Sequence, residues 1–148
     1  MVPVNLSPEC ELTMVSGAVS AGTSAVNGTG VDMTGYESVW FICLLGDVLD
    51  TATLALKAQL CSDSSGTGAE DITGATTGTL TAGASNYDSK FLLLEVVKPK
   101  TTSTLKYVRC VLTRGVANAV VASIVAVQYG CKRTPVSQAG AMSNVIAD

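Results

Sequence analysis

The chain has 148 residues, 47% of them apolar and only 14% charged, with a formal net charge of −3. That length and apolar content suit one folded domain burying roughly two thirds of its unfolded surface, and they exclude a disordered chain. There is no histidine, which excludes Ser-His-Asp and Cys-His nucleophilic catalysis and every His-ligated zinc site.

Residues 1–11 contain Pro3 and Pro8, show little periodicity and read as an extended N-terminal arm. They carry neither a basic n-region nor an apolar h-region, so no secretory signal is expected. Leu12–Val19 reads as a first strand. In residues 16–30, 12 of 15 positions are Gly, Ser, Thr or Ala. Asn27-Gly28 is a turn signal there, and the formal glycosylation sequon Asn27-Gly28-Thr29 is read as that turn. Tyr36–Leu45, YESVWFICLL, is rich in β-branched and aromatic residues and predicts a strand. Val39, Phe41, Cys43 and Leu45 fall on one face; Trp40, Ile42 and Leu44 fall on the other.

Residues 52–61, ATLALKAQLC, alternate with Leu54, Leu56, Ala58 and Leu60 on one face and Lys57 and Gln59 on the other. The period favours a half-buried strand, although Ala, Leu, Lys and Gln also form helices well. Residues 62–85 follow, with 19 of 24 positions Gly, Ser, Thr or Ala. They read as a long loop, with room for a short strand near Thr77–Thr81. Lys90–Val97 is a strand stopped by Lys98-Pro99. Leu105–Thr113 is another, with Val108, Cys110 and Leu112 facing in and Tyr107, Arg109 and Val111 facing out. Ala119–Tyr129 is the last, and residues 131–148, with Pro135, form a C-terminal arm. Six to eight short strands without a confident helix predict an all-β chain. The expected fold is one antiparallel β-sandwich or jelly-roll-like domain over residues 12–130, flanked by the two arms.

The run Ala119–Val127 holds one polar side chain, Ser123. It is half the length that a membrane helix needs. Its β-branched residues make it a strand that wants cover on both faces. Tyr36–Leu45 has the same character, and Trp40 and Phe41 are both read as core. One face of these strands packs in the domain's own interior. The other requires a second sheet, the 62–85 loop or another subunit. An Asp at Ile42 is therefore expected to prevent folding or assembly.

Charge is segregated. Residues 1–88 hold ten acids and one base, Lys57, whereas residues 89–148 hold eight bases and two acids, Glu95 and Asp148. Either acidic strands face basic ones within the fold, or each half faces a neighbouring subunit. Eight bases spread over sixty residues of an acidic chain do not form a nucleic-acid patch. The five cysteines, at 10, 43, 61, 110 and 131, show no CxxC spacing and suit a reduced compartment. Gly28-Thr29-Gly30 lacks the third glycine of a dinucleotide loop. Asp63, Glu70 and Asp71 match no EF-hand spacing and read as a solvated loop. No catalytic, cofactor or metal site is expected.

The order of blocks AVNGTGVDMTGYESVWFICLLGDV, LKAQ, SKFLLLEVVKP and KYVRCVLTRGVANAVVASIVAVQYG, followed by a Pro-containing tail, covers roughly residues 25–135. It resembles the capsid decoration, or cement, proteins of tailed bacteriophages. The resemblance implies a β-rich, non-enzymatic protein without a cofactor. It would multimerise as a dimer or trimer on the outer surface of the phage head and clamp adjacent major capsid protein subunits. Assembly would take place in the host bacterial cytoplasm, with the virion as the final location and no membrane or nucleic-acid partner. Contacts with the shell are expected from the arms and the 62–85 loop, with Pro3, Val4, Leu6, Lys132, Arg133, Pro135 and Val136 as partner-binding candidates. The alternatives are a tail-tube or head–tail connector component, and a ligand- or carbohydrate-binding β-sandwich with an exposed aromatic platform.

Overall fold

The computed structural model describes residues 8–84, 86–132, 136–138 and 140–141. Eleven strands lie among them: β1 (Glu11–Ser16), β2 (Val19–Gly22), β3 (Val26–Asn27), β4 (Val31–Asp32), β5 (Ser38–Val48), β6 (Thr53–Cys61), β7 (Glu70–Thr76), β8 (Leu80–Thr81), β9 (Phe91–Val97), β10 (Tyr107–Gly115) and β11 (Ala119–Tyr129). The front sheet has the order β1-β11-β5-β9, with β2 also pairing β11. The back sheet has the order β3-β10-β6-β7, with β4 on β10 and β8 on β6. All of these pairings are antiparallel.

Numbered in chain order, the eight strands of the two paths read 1-8-3-6 and 2-7-4-5. Apart from the β6–β7 hairpin, each step between them crosses to the other sheet, which is the double Greek-key order of a jelly roll. The expected all-β, antiparallel sandwich is the observed fold.

The core lies between the sheets and follows from alternation. Val39, Phe41, Cys43 and Leu45 of β5 meet Leu54, Leu56 and Ala58 of β6 and Val108, Cys110 and Leu112 of β10, all buried. β11 departs from strict period two. Its register against β5 shifts between Ala119 and Val121 and again between Val121 and Ser123. These bulges let Val121 and Ile124, three positions apart, both enter the core. Ser123, the single polar residue of Ala119–Val127, donates its hydroxyl to the Ser16 carbonyl at 3.1 Å.

The tract 62–85, read from sequence as a loop, carries β7 and β8. β7 alternates poorly, with only Ile72 and Ala75 packing against the core. It forms because β6 offers a regular ladder on which Asp71 and Glu70 register opposite Gln59 and Leu60. Residues 52–61 resolve as a strand, held by an unbroken ladder from Thr53 to Cys61 against β10.

Burial pushes the Cys43 and Cys110 thiols up to about 12 from an ordinary value of 9.0. The folded chain thus keeps these thiols protonated at a pH where the unfolded chain ionises them. Their contribution to stability is intact below about pH 9 and is lost as pH rises toward 12. Each can remove up to about 1.4 kcal/mol per pH unit in that window. Urea midpoints recorded across it should fall steeply, and the double variant Cys43→Ala/Cys110→Ala should show a flatter dependence.

Candidate functional site

The outer faces of the two sheets differ in chemistry. On the back sheet, Arg109 Nε donates to Gln59 Oε1 at 2.9 Å, and Gln59 Nε2 donates to Asp71 Oδ1 at 2.6 Å. Lys57 Nζ reaches both oxygens of Asp71 at 2.9 Å. These cross-strand neighbours form a solvated polar network, and the Lys57 and Gln59 hydrogen bonds hold the Asp71 carboxyl below its ordinary range. At the end of β6, Asp63 Oδ1 accepts from Ser65 N, Ser65 Oγ and Thr67 N at 2.9, 2.7 and 3.0 Å. Those bonds, from Thr67 first, lower its pKa. The carboxylate closes its own turn. Gly66 completes the turn with φ +89, lying so close to Arg109 that a Cβ would sit 1.9 Å from Nη1.

The front sheet's outer face is apolar across four strands. The registers align Met14, Val125, Ile42 and Leu93 in one row. Leu12, Val127, Trp40 and Glu95 form the next, and Ser123, Leu44 and Phe91 a third. Met14 is 67% exposed, Phe91 58%, Leu12 49%, Leu93 43%, Leu44 38% and Trp40 36%. Glu95 is the one charged residue of these rows, and it accepts a hydrogen bond from the Tyr129 hydroxyl.

Trp40 therefore corrects the sequence reading. Phe41 is fully buried, but its neighbour projects outward. Two-sided apolarity is real in β5 and β11, whereas cover on the second face is absent among the described residues. The 62–85 tract cannot supply it, because β7 and β8 belong to the back sheet. Leu12, Met14, Trp40, Leu44, Phe91 and Leu93 were not singled out as partner contacts. The signal for them was the two-sided character of the strands themselves.

Two shallow grooves flank this face. One, of about 320 Å³, lies among Leu45, Leu80, Tyr87, Phe91 and Leu92. The other, of about 340 Å³, lies between β7 and β9 among Ile72, Val96, Val97, Lys98 and Lys100. The first is mostly apolar, with Asn86 and Lys90 at its rim; the second also carries Asp71, whose carboxylate is already bound by Lys57 and Gln59. No cluster of three or more His, Cys, Asp or Glu residues that could hold a metal exists among the described residues. The resolved carboxylate shifts, at Asp32, Asp63 and Asp71, all run downward. For Asp32, burial would raise the value, but hydrogen bonds from Thr34 and Lys106 outweigh it.

Among the described residues, the charge segregation is met within the fold at one point, the 3.0 Å ion pair of Lys106, just before β10, with Asp32 of β4. The other ion pair, Lys57–Asp71, joins residues of the acidic half.

Of the sequence-derived contact candidates, Pro3, Val4, Leu6, Arg133 and Pro135 lie outside the described residues. Lys132 is exposed, and its backbone N–H donates to the Gly35 carbonyl at 2.9 Å. Val136 is half-buried, and its N–H donates to the Pro8 carbonyl at 2.8 Å. The roots of both arms thus meet at the β1 edge. Gln138 extends this contact: its side-chain amide accepts from Leu12 N at 3.1 Å and donates to the Cys10 carbonyl. That side chain occupies backbone groups which an edge strand would otherwise present to another chain.

No family model matches the sequence, and no curated protein matches it. Among solved structures, the chain is similar to the xylan-binding module CBM15, at 18% identity over 89% of this chain and 97% of that one, with a TM-score of 0.39. It is also similar to Eiger TNF from S. frugiperda, at 9% identity over 90% and 99% of the two chains, TM-score 0.36. Desmodium yellow mottle tymovirus matches at 13% identity over 95% and 96%, TM-score 0.32. Likenesses this distant carry no argument about function.

Proposed function

We propose that this chain is a structural virion protein: a decoration protein that multimerises on the outer surface of a tailed-phage head and clamps adjacent major capsid protein subunits. The observation that carries the reading is the apolar outer face of the front sheet. A single copy leaves Leu12, Met14, Phe91 and Leu93 in water, a contiguous apolar patch of the kind that marks interaction sites. The block order of the sequence supplies the phage-head context. The jelly roll does not decide the matter, since the architecture serves capsids and lectins alike. The roots of the arms leave together from the β1 edge, which suits their reaching a neighbouring shell subunit from one side.

Purified protein mixed with undecorated heads should bind saturably at fixed stoichiometry, and deletion of residues 131–148 should weaken that binding at least tenfold. Absence of saturable binding to heads would sink the decoration reading. Wild-type affinity in the deletion variant would remove the C-terminal arm from it.

A carbohydrate-binding domain is the second reading, favoured by the outward position of Trp40 and Phe91. Sugar platforms set aromatic rings beside hydrogen-bonding groups that fix the hydroxyls. Here Trp40 is bordered by Val127, Ile42 and Leu44, with Glu95 already engaged by Tyr129. Trp40 is the single tryptophan, so its fluorescence reports directly. A saturable change on titration with soluble β-1,4-linked oligosaccharide would favour this second reading.

A further inference from the structure

We infer that the front sheet's outer face packs against the same face of a second copy, giving a two-fold homodimer. The inference rests on the assembly reading above and specifies which surface the copies share. Area is the first reason. Leu12, Met14, Trp40, Leu44, Phe91 and Leu93 alone expose roughly 600 Å² by their fractional accessibilities, at the upper limit of what monomers leave bare. The half-buried Ile42, Val125 and Val127 between them add at most about 200 Å², so the face approaches, at its upper bound, the ~800 Å² that each partner contributes to a standard interface.

Charge is the second reason. A two-fold axis sets a face against its own copy, so any charge on it is confronted with the same sign. Within its three aligned rows the only charge is Glu95, on the edge strand β9 and bonded to Tyr129, and the exposed Asp47 lies beyond them at the end of β5. The back sheet, with Lys57, Asp71 and Arg109 on its outer side, could not be stacked in this way without desolvating a charged network.

Shape is the third. The centre of the face is lined by Val125, Val127 and Ile42 on the two inner strands, with the more exposed Met14, Leu12, Phe91 and Leu93 on the flanking strands. Two such sheets can stack about 10 Å apart with interleaved side chains, as the two layers of a sandwich do. In the dimer, β5 and β11 obtain the cover on both faces that their sequences call for.

Sedimentation equilibrium of the full chain, from low to high micromolar concentration, should show the mass rise to twice that of the monomer. Trp40 emission should shift to shorter wavelength in parallel. Leu93→Glu places a carboxylate in the centre row and should weaken dimerisation about 100-fold or more while far-UV circular dichroism is unchanged. Thr113→Glu, exposed on the back sheet, should leave it intact. A wild-type chain that stays monomeric throughout, or a dimer indifferent to Leu93→Glu, overturns the inference. Head binding run alongside separates the two claims. A dimer that ignores heads removes the decoration reading and leaves the dimer. A monomer that saturates heads, and loses them on Leu93→Glu, makes this face the shell contact instead.

Discussion

Phe41→Ala should lower the unfolding free energy by about 3–5 kcal/mol, whereas Ile42→Asp, one residue along, should cost less than half as much and leave a soluble, folded chain. The two positions sit on opposite faces of β5. Phe41 is fully buried among the inner residues of both sheets, so truncation removes its transfer energy and leaves a cavity between layers that cannot collapse. Ile42 lies on the outer face between Val125 and Leu93, only half-buried, and an Asp there keeps access to water. Urea unfolding at low protein concentration, where self-association adds nothing, measures both. Equal losses at the two sites would mean that the outer face is covered within one chain. At high concentration Ile42→Asp should instead show its effect on assembly.

This contrast marks the boundary of what the sequence discloses. Alternation identified the inward residues of β6 and β10 correctly, because Leu54, Leu56 and Ala58, like Val108, Cys110 and Leu112, have mostly polar neighbours on the opposite side, Lys57, Gln59, Arg109 and Thr113 among them. In β5 and β11 both faces are apolar, and periodicity cannot distinguish a face buried by the chain from one awaiting a partner. Trp40 was accordingly read as core, although it projects outward. β7 was invisible for a different reason. Its sequence, EDITGAT, mixes Glu, Asp, Gly and Ala, which are depleted in strands, and its conformation is imposed by β6, whose ladder it extends. Val111 faces away from the inner row of β10, as expected, yet is buried there, opposite Asn27 of β3. The arms were recognisable by their prolines, but the use of Gln138 to occupy backbone groups of the β1 edge depends on a contact spanning 126 residues.

Arg114→Ala should destabilise the chain by about 3 kcal/mol, a fall in Tm of about 10 °C for a domain of this size. Nothing local to RG at the end of a strand indicates such a role. Arg114 is only 6% exposed, and its bonds go to backbone carbonyls. Nε donates to Ser24 at 2.8 Å, and Nη1 donates to Ser20 at 3.0 Å and to Ala119. The guanidinium thus ties the β2–β3 segment to the start of β11. These three acceptors, on two separate segments of chain, are met from two different nitrogens, which suits a planar fork with several fixed donors and not a single ammonium. Arg114→Lys should therefore recover less than half of the loss. The truncation strands carbonyls that are shielded from water, and the cost is theirs as much as the lost bonds'. Hydrogen exchange should show the first loss of protection at residues 19–24, because β2 pairs β11 over a short, bulged register, Ala119 with Gly22 and Val121 with Val19. A Lys variant as stable as wild type would show that charge alone suffices there. Protection unchanged at 19–24 in the Ala variant would show that β2 is held by its ladder alone.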